Sequence, residues 1–383
     1  WANEIRNSLS KEEASDIVQG TELIVHQIIG QLRHNNEELN EYKFRTLFQY
    51  FFDKVAEVTY KTIVGIDIDD ISFYVNATDN SQSAPMSSPE KLTQMQGALL
   101  KGQFKNTDFF NIRGGLTFSW KWVSLGLIKD NIVWGNAYNG SNILSGRTLP
   151  YSMIKLSLSP VKWLEYNYIH GWLASNIIDS NLSYITSNGN NRYVMRNKMI
   201  AANMISFRPV KNLYLNFGNS VVYSDVNFQF QYLIPFMVYK IVDDNYNGTN
   251  NLAGQNTQMF FDISSRNIKY LHLYASLFID ELSFKRMFDK QKQSNYISLK
   301  TGVKFSGLPK TFSFTFEYTR TNPNTYQHFI PTTTFSSGDI CLGNYLGSNA
   351  EEFYTELAYR PLQNLQLQLS YTYMHKGTDY IYG

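Results

Sequence analysis

The chain has 383 residues and a formal net charge of +2, so its charge gives no basis for binding a polyanion such as nucleic acid. Charged residues make up 17% of the chain, against roughly 25% in an ordinary soluble protein. Aromatic residues reach 15% and include 27 Tyr, a side chain that favours boundaries between apolar and wet surroundings. This composition is typical of the aromatic girdles of membrane β-barrels.

Several functional classes are disfavoured by what the sequence lacks. With Cys341 as its single cysteine, the chain cannot form an intramolecular disulfide. It contains no apolar run near the roughly 20 residues that a transmembrane helix needs. It also has no zinc pattern, phosphate loop or nucleophile motif, so we expect neither a cofactor, nor a metal site, nor enzymatic activity. Because the first residue is Trp1 rather than Met, we expect a processed chain whose signal peptide has been removed.

The first 56 residues are predicted to be helical. Ser8 or Ser10 can cap a helix, and apolar residues recur near helical spacing from Ile17 to Leu32. A second helical stretch is expected over 37–55. We interpret 1–56 as a periplasmic helical segment that precedes a barrel.

From about residue 57 onward, apolar residues recur at every second position instead of at helical spacing. In 365–373, Leu365, Leu367 and Leu369 face one way, whereas Gln366 and Gln368 face the other. Segments with this alternation are about 9–11 residues long, the length that spans a bilayer when tilted. The clearest of them are 162–172, 196–207, 212–223, 269–280, 295–305, 311–321 and 364–375.

The connections between these segments alternate in length. Short ones are expected at 160–161, 208–211, 266–268, 306–310 and 360–363, and long ones at 130–150, 173–195, 224–256, 281–294 and 322–351. Outer-membrane barrels have short periplasmic turns and long external loops. We therefore predict an all-β transmembrane barrel over 57–383, an antiparallel meander of about 16–18 strands.

Two features complicate this strand count. Residues 78–96 are interpreted as a polar linker, and the strand at 364–375 would leave the chain end on the external side. We therefore expect the last strand to be incomplete.

Proline recurs in three of the short turns, at Pro160, Pro209 and Pro361, which predicts one class of hairpin on one side of the meander.

A set of short motifs follows in order along the barrel region. They include Gly-Leu-Ile-Lys-Asp-Asn-Ile-Val-Trp-Gly at 126–135, Ile-Leu-Ser-Gly at 143–146, and further matches at 160–172, 206–213, 279–282 and 342–350. Together with the helical opening at 8–55, they resemble the capsule-assembly Wzi family in its Bacteroidetes-type branch. The resemblance implies an outer-membrane barrel of about eighteen strands with a small periplasmic helical bundle. It also implies a non-enzymatic, lectin-like anchor for capsular polysaccharide.

Three candidate ligand-binding residues, Trp134, Tyr138 and Arg147, are expected in the first long external loop. Aromatic faces can stack on sugar rings, and Arg can pair with the carboxylate of an acidic sugar. The alternative is that Trp134 anchors a strand end at the membrane interface, and this alternative is favoured.

Two more candidates, Glu165 and Glu317, are on the polar faces of their strands and should point into the lumen. They could bind ligand, but a charge ladder that holds the barrel interior is the favoured interpretation.

Three functional hypotheses follow. The first is a barrel that binds or anchors surface polysaccharide; the others are a passive or gated channel, and a structural subunit of a larger secretion or uptake complex. The expected partners are outer-membrane lipid and lipopolysaccharide, surface polysaccharide, and other outer-membrane or periplasmic proteins.

Overall fold

The computed structural model describes residues 61–68, 70–82, 88–103, 107–226, 228–247, 255–282, 295–307 and 311–378. Apart from the first two of these residues, all belong to one compact unit, Ile63–Gly383. The helical segment predicted at 1–56 lies outside the described residues, so it stays a prediction.

Within these ranges the structure contains the following elements: β1 Lys61–Ile68, β2 Ile71–Gln82, α1 Pro89–Met95, β3 Leu99–Gln103, β4 Thr107–Trp120, β5 Val123–Asp130, β6 Val133–Trp134, β7 Leu144–Ser145, β8 Tyr151–Val161, β9 Leu164–Leu173, β10 Tyr184–Ile185, β11 Asn191–Arg192, β12 Lys198–Phe207, β13 Leu213–Ser224, α2 Tyr239–Asn247, β14 Asn256–Ser265, β15 Leu271–Glu281, β16 Tyr296–Ser306, β17 Phe312–Thr321, β18 Ser336–Ser337, β19 Ile340–Cys341, β20 Ala350–Leu362 and β21 Leu365–Lys376. Short 3-10 helices occur at Phe230–Leu233 and Pro331–Thr333.

Fifteen of the described strands form one sheet. Its order is β1-β2-β4-β5-β8-β9-β12-β13-β14-β15-β16-β17-β20-β21, and β3 pairs with β4. From β4 onward each long strand pairs antiparallel with the next, which confirms the predicted meander. The seven strands singled out in the sequence have the observed bounds to within two residues. The remaining six strands form three two-stranded ribbons in the connections.

The two faces of the sheet differ in polarity. Leu116, Leu127, Phe217 and Leu369 share the outer face and are 52%, 62%, 47% and 73% exposed. The alternate residues turn inward, and many of them are polar and buried. An apolar outer face around a polar interior is the arrangement of a transmembrane barrel and the reverse of a soluble one.

Tryptophans mark one edge of the apolar band. Trp120, Trp122 and Trp163 lie at short turns and are each about half exposed. The ring of Trp163 meets Phe207 edge-to-face at 5.5 Å. Aromatic girdles of this kind form where a barrel wall meets the membrane interface.

The three proline-containing turns are not all of one class. At Pro160 and Pro361 the pairing register shifts just before the turn, between Leu158 and Val161 and between Tyr359 and Leu362. At Pro209 no such shift occurs, and Phe207 pairs with Leu215 around a longer turn. The prediction of one hairpin class is therefore right for two of the three turns.

Part of the predicted polar linker at 78–96 is regular structure. Strand β2 continues to Gln82, in register with β4, and α1 begins at Pro89.

Strand β21 pairs with β20, and both of its faces are largely exposed. In the described part of the chain, no helix is long and apolar enough to cross a membrane.

Candidate functional site

The connection between β5 and β8, residues 131–150 and here called the plug loop, folds into the barrel. The backbone N–H of Asn136 donates to Asp262 Oδ2 at 3.0 Å, and its side-chain amide donates to Oδ1 at 2.6 Å. The N–H groups of Tyr138 and Asn139 donate to the two carboxylate oxygens of Glu317 at 2.6 and 3.1 Å. Inward-facing carboxylates of the wall therefore hold the backbone of this loop.

A third anchor of the plug loop is Asn142. Its amide donates to the carbonyl of Ser298 at 2.9 Å and accepts from the hydroxyl of Ser276 at 2.5 Å. Its own carbonyl accepts from the Tyr326 hydroxyl at 2.5 Å. Asn142 is fully buried, so each of these bonds satisfies a polar group that water does not reach.

The connection between β17 and β20, residues 322–349 and here called the cap loop, packs on the plug loop. The N–H of Ser145 donates to the Leu342 carbonyl at 2.8 Å. Asn256 of the wall donates to the Thr333 carbonyl at 3.0 Å, and Lys198 donates to the Ser336 hydroxyl at 3.1 Å. The two loops thus close the same part of the lumen.

Apolar contacts complete the filling of the lumen. Trp134 packs on Phe260 with ring centroids 5.8 Å apart, and Phe278 packs on Tyr326 and Phe335 at 4.6 and 4.9 Å. All five side chains belong to one buried cluster shared by the wall and the two loops. Within the described residues, the interior at this level contains a packed apolar core.

A charged network lies beside this core. Lys300 Nζ is 2.8 Å from Glu317 Oε2, and both side chains are completely buried. The Tyr274 hydroxyl donates to Glu317 Oε1 at 2.5 Å. The ammonium group of Lys304 lies 4.0 Å from the ring centre of Tyr138. Glu317 therefore joins the wall to the plug loop, as expected of a residue in a charge ladder.

The structure ties the three loop candidates to the wall and to the cap loop. Trp134 is 7% exposed inside the barrel, so it neither projects from an external loop nor anchors a strand at the membrane interface. Tyr138 is tied to Glu317 through its N–H and to His272 through its hydroxyl, at 3.0 Å. The guanidinium of Arg147 lies 4.4 Å from the ring centre of Tyr345 in the cap loop. The loop turns inward because the wall supplies buried acceptors for its backbone.

Glu165 faces the lumen as expected, but it lies far from Glu317 in the sheet. It accepts from the Asn167 amide at 2.7 Å and lines a cavity of about 540 Å³. The cavity lies at the end of the barrel with the short turns, and Arg208 and Arg266 also line it. The structure therefore does not gather the five candidate residues into one site.

A ribbon that was not predicted from the sequence lies at the opposite end of the barrel. Strands β10 and β11 form a hairpin in the connection between β9 and β12. Tyr184 pairs with Arg192, so their side chains share one face of the ribbon, and both are exposed. Tyr193 follows the ribbon and is 60% exposed, and its hydroxyl accepts from the amide of Asn191, which alternates with Arg192 and so lies on the other face. The usable signal was an Asn-rich stretch, 188–191, flanked by Tyr184 and Tyr193.

This face of the hairpin carries the chemistry that was expected in the plug loop. An exposed aromatic ring can stack on a sugar ring, and a neighbouring guanidinium can bind a carboxylate with two parallel hydrogen bonds. Across the described ranges, no cluster of three or more His, Cys, Asp or Glu side chains could hold a metal ion.

Comparison with known proteins gives a family. The family model described as capsule assembly protein Wzi matches residues 56–381. No curated protein sequence matches the chain. Among solved structures, similarity is found to Wzi of Escherichia coli, described as an outer-membrane, carbohydrate-binding β-barrel involved in group 1 capsule assembly. The identity is 12%, the TM-score 0.48, and the match covers 89% of this chain and 76% of that one.

Two porin structures of Pseudomonas aeruginosa are also similar. For OccK9 (OpdG) the identity is 11%, the TM-score 0.39, and the match covers 82% of this chain and 84% of that one. For OpdK with vanillate the identity is 11%, the TM-score 0.36, and the coverage 82% and 86%. The family assignment rests on the family model, which spans most of the chain.

Proposed function

Because the chain belongs to the capsule assembly protein Wzi family, we propose that it is a non-enzymatic outer-membrane barrel that binds and anchors polysaccharide at the cell surface. The observation that carries this proposal is the pairing of Tyr184 with Arg192 on one exposed face of the β10–β11 ribbon. This ribbon is at the end opposite the short turns, which is the external end of an outer-membrane barrel.

The filled lumen supports an anchor rather than a channel. Polysaccharide would meet the barrel at its external surface, because the plug and cap loops occupy the interior, where they bind Asp262, Glu317 and Asn256. Trp134, Tyr138 and Glu317 then serve to hold the plug loop, and Arg147 joins it to the cap loop. Under this proposal, Tyr184 and Arg192 of the hairpin bind the polysaccharide, and these four residues do not.

The chemistry of the hairpin indicates the class of glycan. Tyr184 offers an apolar face to the C–H groups of a pyranose ring, and Arg192 offers paired donors to a carboxylate. An acidic polysaccharide satisfies both, whereas a neutral one satisfies only the first. Outer-membrane lipid and lipopolysaccharide are the proposed surroundings of the wall, and periplasmic or outer-membrane proteins remain proposed partners.

A complementation experiment tests the proposal in cells. A strain that lacks the gene is complemented with the wild-type chain, with the double variant Tyr184→Ala plus Arg192→Ala, or with Tyr193→Ala as a matched control on the other face. We expect the deletion strain and the double variant to shed polysaccharide into the medium, whereas the control retains it. Equal retention by the deletion and wild-type strains would overturn the anchoring function.

A further inference from the structure

The outer wall carries a polar patch where β9, β12 and β13 are neighbours. Asn203 and Asn219 are register partners, and Tyr168 pairs with Asn203 from the other side. Two residues closer to the short turns, Ile205 and Phe217 lie on the same outer face and are 40% and 47% exposed. The Asn219 amide donates to Asn203 Oδ1 at 2.8 Å, but the other amide donors of this pair would have no partner if they faced lipid tails, which is energetically costly.

Residues 228–242 of the connection between β13 and β14, here called the strap, cover this patch. The Asn203 amide donates to the carbonyls of Pro235 and Met237 at 3.0 and 2.9 Å. The Asn219 side-chain oxygen accepts from the Tyr239 N–H at 2.9 Å. Side chains of the barrel wall thus bind two carbonyls and one N–H of the strap backbone.

Tyrosines of β9 extend this pattern along the strap. The Tyr168 hydroxyl donates to the Tyr232 carbonyl at 2.8 Å, and the Tyr166 hydroxyl donates to the Pro235 carbonyl. His170, fully buried beneath the strap, is within hydrogen-bond distance of the Tyr168 and Tyr223 hydroxyls, at 3.1 and 2.8 Å. Non-helical backbone is tolerated at membrane depth where it is buried against protein and its polar groups find partners there.

The strap descends along the wall rather than projecting into water. Phe228 stacks on Trp172 near the external end of β9, with ring centroids 6.1 Å apart. Phe236 packs on Tyr166 at 4.1 Å, two residues from the start of β9 at the short-turn end. Tyr166 and Trp172 are six positions apart in β9, which at about 3.3 Å per residue corresponds to about 20 Å along the strand. The connection predicted as an external loop at 224–256 therefore lies partly against the membrane-spanning wall.

The outward surface of the strap is apolar. Its exposed large side chains are Phe230, Ile234, Phe236, Val238 and Ile241, with exposed fractions of 76%, 50%, 64%, 45% and 59%. The charged Lys240 in α2 forms an ion pair with Asp244 at 2.9 Å, and its long side chain can reach the membrane interface. The apolar surface of the strap continues the lipid-facing surface formed by Ile205, Phe217 and Met259.

We propose that the strap is embedded in the membrane and that its exposed apolar side chains contact lipid acyl chains. The outer face of β9, β12 and β13 is then lined by a second layer, with polar groups sealed between the two layers and apolar groups turned to lipid. This placement does not depend on which polysaccharide the barrel binds, or on whether it binds one.

Spin-label accessibility in lipid vesicles tests this placement. Single cysteines are introduced in a Cys341→Ala background as Ile234→Cys, Phe236→Cys and Val238→Cys. Phe217→Cys serves as the lipid-facing reference, and Tyr193→Cys as the aqueous one. Each protein is labelled with a nitroxide, reconstituted alone into phosphatidylcholine vesicles, and assayed by power saturation with oxygen and with a water-soluble nickel complex. Migration as a heat-modifiable barrel on gels verifies that each variant is folded.

The three strap positions should resemble the Phe217 reference. Oxygen collides readily there, and collision with the nickel complex is about five-fold lower than at position 193, because the complex is excluded from hydrocarbon. Nickel accessibility at the strap equal to that at position 193 would overturn the proposal, since the strap would then be in water. Low accessibility to both reagents would also overturn it, because the strap would then be covered by protein. If one cysteine variant fails to fold, the other two keep the test decisive.

Discussion

Lys300 and Glu317 form an ion pair of 2.8 Å on neighbouring strands, and neither side chain is exposed at all. Lys300 has a further bond to the Thr319 hydroxyl at 3.0 Å, and Glu317 accepts from Tyr274 and from two amides of the plug loop. Breaking a buried pair of this kind typically costs about 3–5 kcal/mol, because it leaves one charge buried without a partner. The pair therefore holds both the wall and the loop that fills it.

We predict that Glu317→Gln destabilises the barrel by about 3 kcal/mol, since Lys300 then stays charged and unpaired. Thermal unfolding in detergent, followed by the loss of heat-modifiable gel mobility, measures the effect. The double variant Lys300→Met plus Glu317→Gln should recover much of the loss. Asp79→Asn is the matched control, because it breaks the exposed pair between Lys101 and Asp79 and should change stability by less than about 1 kcal/mol. Equal effects of Glu317→Gln and Asp79→Asn would contradict this account.

The plug loop should prevent ions from passing through the barrel. In planar bilayers we expect no ohmic current through the wild-type protein, because the loop is bonded across the lumen to Asp262 and Glu317. Replacing residues 135–142 by a flexible Gly/Ser linker removes these bonds and should produce steady conductance. Shortening the exposed hairpin at 186–190 is the control and should leave the protein silent. Steady ohmic current through the unaltered protein would favour the channel hypothesis instead.

A glycine prediction tests the close packing of the wall against its filled interior. A Cβ at Gly218 would lie 2.0 Å from the ring of Phe260 and 2.4 Å from the Asn203 carbonyl oxygen. Gly218→Ala should therefore destabilise the barrel by about 1–3 kcal/mol. At Gly102 a Cβ would meet nothing within 4 Å, so Gly102→Ala should be close to neutral. Unfolding midpoints in the same detergent compare the two, and indistinguishable midpoints would show that the packing at Gly218 is looser than described.

Acid should loosen the cap loop through His328. Burial lowers the pKa of His328 to about 4, and its Nδ1 lies 2.7 Å from the Thr333 hydroxyl and 3.3 Å from the Ile330 N–H. An unfolded histidine titrates near pH 6.5, so the open loop binds a proton more readily than the closed loop. The contribution of His328 to stability is therefore fully present above about pH 6.5 and is lost as the pH falls toward 4.

Hydrogen exchange of the amides at 331–335 measures this effect. After correction for the intrinsic pH dependence of exchange, protection should fall between about pH 7 and about pH 5. In His328→Gln the fall should largely disappear. If the variant loses protection as steeply as the wild-type chain, another group controls the loop.

The wall of the barrel could be predicted from the sequence because each strand is solvated independently by lipid. Leu365, Leu367 and Leu369 must face outward whatever the other strands do, so a local alternation of period two gives their orientation. For the same reason Glu317 could be assigned to the lumen from its parity alone. The pairing of Glu317 with Lys300 could not be predicted, because the sequence does not indicate which inward-facing residues of neighbouring strands meet.

The plug loop, cap loop and strap could not be predicted, because their positions depend on contacts between residues far apart in the chain. Asn136 and Asp262 are 126 positions apart, and Tyr138 and Glu317 are 179 apart. Length and polarity indicate a loop but not whether it turns inward, outward or along the wall. Asn203 and Asn219 were visible as polar residues on an apolar face, and they were the available signal that something covers them.

Direct binding tests the central claim that this barrel holds surface polysaccharide. Purified protein in mild detergent is titrated with polysaccharide extracted from its own cell surface, and with the same material after its carboxyl groups are reduced. We predict saturable binding that falls about five- to ten-fold in Tyr184→Ala, in Arg192→Ala and on carboxyl reduction, and that is unchanged in Tyr193→Ala. The absence of saturable binding by the wild-type protein would contradict the account.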